Sequence, residues 1–219
     1  MDGFVAWLKQ LQFDGVWQTA VLVAASLLCI TFHETCHGLV AYWLGDPTAK
    51  RAGRLTLNPL RHIDIGGLLM MALFRFGWAK PVPVDMRYFK KPKQGMALTA
   101  LAGPVSNFVL ALLALLCARL VYHQYGALWD FIFDLLLTTA YLSVGLGLFN
   151  LIPISPLDGS KVLFAFLPDS AYEKLMRYEK YGMIALLILV WLGVGDNVLS
   201  TAIYNVYAAM INFVFRGIV

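Results

Sequence analysis

The chain has 219 residues, of which 60% are hydrophobic and only 14% are charged, and its formal net charge is +4. Soluble globular domains usually contain about 25% charged residues, so this composition excludes an ordinary soluble enzyme and indicates an integral membrane protein. The length suits one domain that covers residues 1–219. The three cysteines all lie in apolar runs, which indicates packing residues rather than a disulfide framework.

Apolar runs along the chain predict an all-α polytopic membrane protein. Residues 1–15 are short and mixed, and we expect them to lie at the membrane interface. The first spanning helix is predicted over residues 16–44, where Gly45 and Pro47 end it. Further helices are predicted at about 95–122, 128–152, 157–167, 181–194 and 198–215. The total is about six membrane helices.

The segment between the first two spans carries most of the positive charge. Residues 45–95 contain ten of the 17 lysines and arginines, but only three acidic residues. By the positive-inside rule this segment is cytoplasmic, so the first helix crosses the cell membrane from outside to inside. Charges that flank membrane spans need no second partner, and the basic loop therefore does not predict nucleic-acid binding.

Two shorter patterns lie within this loop. In "RLTLN", apolar and polar residues alternate, which predicts a short strand from Arg54 to Asn58 that Pro59 ends. The run "IGGLLMMALF" is apolar but only about ten residues long, which suits a re-entrant or interfacial segment. We therefore expect a small membrane-associated β-hairpin or re-entrant loop after the first span.

Three ionisable residues lie inside the first span, in the stretch "HETCH". His33 and His37 are four residues apart and share a helix face, so they can bind one metal ion, while Glu34 beside them is free to act as a base. Each ionisable group in a membrane helix costs about 3 kcal/mol on insertion scales, so a metal site explains the cluster better than hydrogen bonds within a bundle. About 16 Å of helix separates His33 from the predicted helix end, which places the site in the bilayer nearer the cytoplasmic side.

A catalytic zinc usually has three protein ligands, so two histidines are not enough. His62 lies in the basic loop and His123 near the opposite end of the second span, and neither is well placed. Asp158, in "NLIPISPLDG", opens an apolar helix on the same side of the membrane as the two histidines. Aspartate is also a preferred helix N-cap, so its position leaves two roles open, ligand and cap.

The motif "HETCH" in the first long helix, together with "NLIPISPLDG" after the third, resembles the site-2 protease family of intramembrane zinc metalloproteases. The segments "RLTLNPLRHID", "GWAKPVPVD" and "AGPVSN" are also similar to compact members, and no PDZ or CBS domain is found. The resemblance implies one Zn²⁺ per chain, bound by His33, His37 and Asp158, with Glu34 as the general base and Asn150 in the active site. It implies a catalytic core at about 16–168, followed by C-terminal helices at about 169–219.

This resemblance implies an endopeptidase that cleaves a peptide bond in or near a transmembrane segment of membrane-protein substrates, as in regulated intramembrane proteolysis. Two other classes stay open: a metal-binding membrane transporter, and a catalytically silent scaffold. The predicted strand either binds an extended substrate along an unpaired edge or only closes a hairpin. Asn107 either bonds a neighbouring helix or approaches the site. The candidate substrate-binding residues are therefore Arg54, Leu55, Thr56, Leu57 and Asn107.

Overall fold

The computed structural model describes residues 16–64, 66–67, 79–124 and 126–216. Every regular element among these residues is helical. In chain order the α-helices are α1 (Val16–Trp43), α2 (Thr48–Arg51), α3 (Pro92–Val121), α4 (Ala127–Asn150), α5 (Asp158–Phe164), α6 (Asp169–Arg177), α7 (Glu179–Trp191) and α8 (Asp196–Val214). Two short 3₁₀ turns, Pro59–Arg61 and Met86–Tyr88, lie in the long connection between α2 and α3.

Three of these helices, α1, α3 and α4, are long and apolar enough to cross a membrane. The helices α7 and α8 meet at a bend of 86° and add a fourth crossing if together they form one broken span. The expectation of about six spans is therefore not confirmed within the described residues. The reason is length, because the 7 residues of α5 rise only about 10 Å, against about 30 Å of hydrocarbon. The coarser prediction, an α-helical multi-pass membrane protein, is confirmed.

The end of α1 is defined by a turn and a buried carboxylate. Gly45 has a φ of +106°, a conformation that favours glycine, and α1 stops at Trp43 as predicted. The fully buried Asp46 accepts hydrogen bonds through Oδ1 from the Thr48 N–H at 2.9 Å and through Oδ2 from the Asp85 N–H at 2.7 Å. Asp46 therefore ties two parts of the long connection to the end of α1.

The predicted strand at residues 54–58 is not formed; within the described residues this segment consists of bends without a β-ladder. Side chains satisfy its main chain instead: the Thr56 carbonyl accepts a hydrogen bond from Thr35 Oγ1 at 2.8 Å and lies 2.9 Å from Nε2 of His62. A carbonyl that side chains have already satisfied has less need of a partner strand. The predicted interfacial segment, residues 1–15, and the predicted re-entrant run, apart from residues 66–67, lie outside the described residues.

The helix α3 is the centre of the bundle, since it contacts α1, α4, α5 and α8. Small residues on its buried face, such as Gly103, Ala111 and Ala118, let the neighbouring helices approach closely. Large apolar side chains point away from the bundle, for example Leu120, which is 79% exposed. Such a surface suits lipid, and the close packing of α1 against α3 positions the site described next.

Candidate metal centre

Three side-chain atoms from two distant parts of the chain converge inside the bundle. Nε2 of His33 lies 3.0 Å from Nε2 of His37, and Oδ2 of Asp158 lies 3.1 Å from the first nitrogen and 3.2 Å from the second. All three residues are buried. Zinc bonds of about 2.0–2.1 Å at tetrahedral angles place neighbouring ligand atoms about 3.3 Å apart, so this triangle has the size of a zinc site.

The protonation of the three groups also favours a cation between them. Nδ1 of His37 lies 2.7 Å from the Thr99 carbonyl, which can only accept, so Nδ1 carries the proton and Nε2 presents a lone pair. Oδ2 of Asp158 is buried and has no hydrogen-bond partner among the described residues, although both nitrogens are close. Lone pairs directed at one another without a shared proton repel, and a bound Zn²⁺ removes that conflict. The donor set therefore fits zinc.

Asp158 reaches the histidines because α5 starts close to the end of α4. Asp158 is the first residue of α5, and the N-cap position belongs to Leu157, which makes no side-chain cap bond. A Cβ at Gly159 would overlap the Leu151 carbonyl, so the backbone of α5 approaches the end of α4 at a distance that only glycine permits. The side chain of Asp158 thus points at the histidines. It does not cap the helix, which was the other role that the sequence left open.

One face of α3 supports both histidines through residues spaced by four. The Thr99 carbonyl contacts His37, as described above. One turn later Gly103 has no Cβ, and a Cβ added there would overlap Nε2 of His37 and lie 2.5 Å from Cε1 of His33. A further turn on, the amide nitrogen of the fully buried Asn107 lies 3.3 Å from Nδ1 of His33. Asn107 thus contacts a ring of the candidate metal centre, and its role in substrate binding stays a prediction.

The orientation of the Asn107 amide follows from the chemistry of the ring. A neutral His33 that binds metal through Nε2 carries its proton on Nδ1 and needs an acceptor there. Oδ1 of Asn107 has no hydrogen-bond partner among the described residues. The oxygen and nitrogen of an amide are exchanged by a half-turn of the side chain, which brings Oδ1 to His33 and satisfies both groups.

Glu34 and Asn150, the predicted catalytic residues, lie in different surroundings. Oε2 of Glu34 accepts a hydrogen bond of 2.9 Å from the main-chain N–H of Val82, in the connection before α3. Asn150, the last residue of α4, donates from Nδ2 to the Leu146 carbonyl at 3.0 Å. No contact within the described part of the chain joins Asn150 to the metal ligands, so its active-site role remains a prediction.

The remaining polar candidates lie away from the metal centre. His62 is 1% exposed and belongs to the connection, where it contacts Thr56. His123 follows the end of α3 and packs edge-on against Tyr122. Among the described residues, His33, His37 and Asp158 form the one group of three His, Cys, Asp or Glu side chains able to share a metal ion. Cys36 is partly buried and is not a member of that group.

The sequence reasoning missed two main-chain groups, the Thr99 carbonyl and the Val82 N–H. Neither contact depends on the side chain of Thr99 or Val82, so the residue type at these positions does not predict it. The spacing of Thr99, Gly103 and Asn107 by four residues was the available signal for the first. For the second, the signal was "PVP", where Val82 stands between two prolines that have no N–H.

Several known proteins resemble the chain in sequence. The model of "Peptidase family M50" matches residues 120–193, which include Asp158. YwhC of Bacillus subtilis (strain 168), provisionally named a zinc metalloprotease, is 40% identical over 183 residues, which are 81% of this chain and 83% of YwhC. Rip2 of Mycolicibacterium smegmatis, also provisionally named a zinc metalloprotease, is 28% identical over 199 residues, 86% of this chain and 74% of Rip2. No solved structure was found to match the chain.

A relative that matches a smaller part of the chain is also named a zinc metalloprotease. Zinc metalloprotease MJ0392 of Methanocaldococcus jannaschii is 28% identical over 148 residues, which are 68% of this chain and 34% of that protein. The metalloprotease relatives, together with a possible metal site of two histidines and an aspartate in a helical membrane bundle, identify the chain as a zinc metalloprotease, which is a hydrolase. The chain belongs to peptidase family M50, as a member of the site-2 protease family. The predicted family, enzyme class and Zn²⁺ cofactor are confirmed.

Proposed function

We propose that the protein is an intramembrane endopeptidase, which hydrolyses a peptide bond in or near a transmembrane segment of a membrane-protein substrate. The observation that carries this proposal is the triangle of His33, His37 and Asp158, with sides of 3.0–3.2 Å, inside a bundle of apolar spanning helices and next to Glu34. A hydrolytic centre so placed is accessible to peptide bonds that lie at membrane depth, which soluble proteases cannot reach.

The mechanism follows from the positions of the chain's own groups. His33, His37 and Asp158 would hold the zinc, which supplies Lewis-acid activation of a water molecule and of the scissile carbonyl. Glu34 accepts the proton of the attacking water and passes it to the leaving nitrogen, so that the C–N bond breaks and an amine and a carboxylate form. The side chain of Asn150 first gives up its hydrogen bond to the Leu146 carbonyl. Its amide then stabilises the substrate or the developing oxyanion.

The proposed orientation puts the active site in the cytoplasmic half of the membrane. The connection between α1 and α3 holds nine of the 17 lysines and arginines, which supports a cytoplasmic location for this connection. The two histidine ligands lie in the C-terminal half of α1, on the side of that connection. The proposed single catalytic domain comprises a core at about 16–168 and accessory C-terminal helices at about 169–219.

The segment that contains Leu55, Thr56 and Leu57 is proposed to contact substrate, although it forms no strand. Leu55 packs over Gly38, one turn after Glu34, and the Thr56 carbonyl is bonded to Thr35. The adjoining Leu57 side chain is 64% exposed, so it is available to an incoming peptide. Arg54 is buried, and we assign it a different role below.

The test compares Glu34→Gln with the wild-type protein and with Asp134→Asn, a control that makes the same chemical change elsewhere in a spanning helix. Each protein is reconstituted in liposomes, its zinc is measured, and cleavage of a labelled single-span reporter peptide is followed. Glu34→Gln should keep one zinc per chain and lose at least about 10²-fold in cleavage, because the amide cannot accept a proton. Near-normal cleavage would overturn the general-base role, and zinc flux across the liposome would indicate a transporter.

A further inference from the structure

The connection before α3 presents a single main-chain donor to Glu34. Pro81 and Pro83 have no N–H, so Val82 carries the one main-chain N–H of residues 81–83. That N–H donates to Oε2 of Glu34 at 2.9 Å, and the Val82 residue is 8% exposed. Oε1 of Glu34 has no hydrogen-bond partner among the described residues. The contact therefore holds one carboxylate oxygen and leaves the other available for proton transfer.

A buried arginine fastens this connection in place. Arg54 is 6% exposed, and its guanidinium donates to the carbonyls of Arg61, Lys80 and Pro81. Among the described residues no carboxylate is paired with it. A cation that is buried without a counter-ion is costly, and its planar fork is the side-chain geometry that can join several carbonyls at once. The guanidinium of Arg54 thus joins the carbonyls of Lys80 and Pro81 to the turn at Arg61.

Further bonds connect the same segments to α1 at the residue that follows Glu34. The Lys80 N–H donates to the His62 carbonyl at 2.9 Å, and the His62 ring lies 2.9 Å from the Thr56 carbonyl. The Thr56 carbonyl in turn accepts from Thr35 Oγ1 at 2.8 Å. The frame of residues 54–62 and 80–82 is thus attached to α1 at Thr35, and the Val82 N–H is its contact with Glu34.

We propose that Arg54 and the Val82 N–H are a positioning device for the general base. Arg54 holds the Pro81 carbonyl, and the Val82 N–H next to it holds Glu34 in the rotamer that keeps Oε1 ready to accept a proton. This inference rests on the proposed role of Glu34. It also reassigns Arg54, which the sequence had suggested as part of a substrate-binding strand, to a residue that acts through Glu34 without touching substrate.

The experiment removes the donor and the clamp separately. Val82→Pro deletes the N–H, and the matched control Val82→Ala keeps the N–H while trimming the side chain. Arg54→Lys keeps the charge but lacks the fork that joins three carbonyls. In the liposome assay with the labelled reporter peptide, Val82→Pro and Arg54→Lys should each lower kcat by about 10–100-fold, because a base displaced by about 1 Å costs about that much. KM should change by less than about threefold and zinc should stay at one per chain, since neither the substrate contacts nor the metal ligands are altered.

The double variant Arg54→Lys/Val82→Pro distinguishes a shared effect on Glu34 from two independent structural effects. If both groups act through one contact, the double variant should cleave no more slowly than Val82→Pro alone, within about twofold. Additive losses, a rise in KM in place of the fall in kcat, or loss of zinc would overturn the proposal. Wild-type kcat in Val82→Pro, or a loss in Val82→Ala equal to that in Val82→Pro, would also overturn it.

The assay separates failure of this inference from failure of the proposed function. Glu34→Gln is measured alongside: if it cleaves normally, the general-base proposal itself is wrong. If Glu34→Gln is inactive while Arg54→Lys and Val82→Pro cleave normally, the positioning device alone is refuted. Should Val82→Pro fail to fold, Arg54→Lys decides the matter, because a fall in kcat with unchanged KM and zinc supports the device and a normal kcat refutes it.

Discussion

Oδ2 of Asp158 lies 3.2 Å from Nε2 of His37, and this contact joins the short helix α5 to the first membrane span. Both groups are buried, and a neutral His37 with its proton on Nδ1 beside the Thr99 carbonyl presents a lone pair at Nε2 to the carboxylate. A metal ion that binds both groups stabilises the folded arrangement as well as the site, because the binding free energy is available only to the assembled protein.

We therefore expect Asp158→Ala to lose most of its bound zinc. Changes to the hydrogen-bond partners of metal ligands typically weaken metal binding by about 10–100-fold, and loss of a direct ligand should weaken it further. Metal analysis of the purified protein measures this directly. Asp169→Ala is the control, since Asp169 is also in the first turn of a helix but forms an exposed ion pair with Lys93. Stoichiometric zinc in Asp158→Ala would remove Asp158 from the site.

Gly103→Ala should disrupt the metal centre although it adds a single methyl group. The new Cβ would lie 2.5 Å from Cε1 of His33 and overlap the His37 ring, so one ring or the helix α3 must move. We expect zinc affinity and cleavage each to fall at least about tenfold. The control is Gly145→Ala in α4, whose added Cβ would meet its nearest neighbour, Ile203, at an ordinary 3.6 Å. Equal behaviour of the two variants would contradict the proposed contact.

Asn107 should act through its amide oxygen. Asn107→Leu keeps a similar volume but removes the acceptor from His33 Nδ1, and zinc affinity should fall by about 10–100-fold. Asn107→Asp retains an oxygen towards the ring and should bind zinc more tightly than Asn107→Leu. A competition titration with a chelator measures both values. If the two variants bind zinc equally, Asn107 only packs α3 against α1.

The orientation is tested with single cysteines at Lys50 and at Lys91, both of which are exposed. The three native cysteines are first replaced with alanine, so that the label reports on one position. Impermeant thiol reagents should label Lys50→Cys and Lys91→Cys only when the cytoplasmic face is accessible, because the connection is basic. Labelling from outside intact cells would invert the topology and move the site to the other half of the membrane.

Much of the fold could be predicted from single residues and their spacing. The helix α1 ends at a turn whose positive φ favours a glycine, Gly45, and the apolar runs correspond to α1, α3 and α4. The histidines four residues apart had to share a face of α1, since the helical repeat allows no other arrangement. The number of spans is not confirmed among the described residues, because apolar composition does not reveal whether a short run such as α5 crosses the membrane or turns within the bundle.

By itself the sequence determined the chemistry of this protein: two histidines and a glutamate in an apolar helix, and an aspartate at the start of a later one. Only the tertiary structure decided which groups hold those residues in place. Thr99 and Val82 act through main-chain atoms, which every residue type but proline shares, and so their roles leave no mark on the sequence. The strand predicted at residues 54–58 failed for the same reason, because long-range bonds from Thr35 and His62 satisfied its backbone and overrode the local pattern.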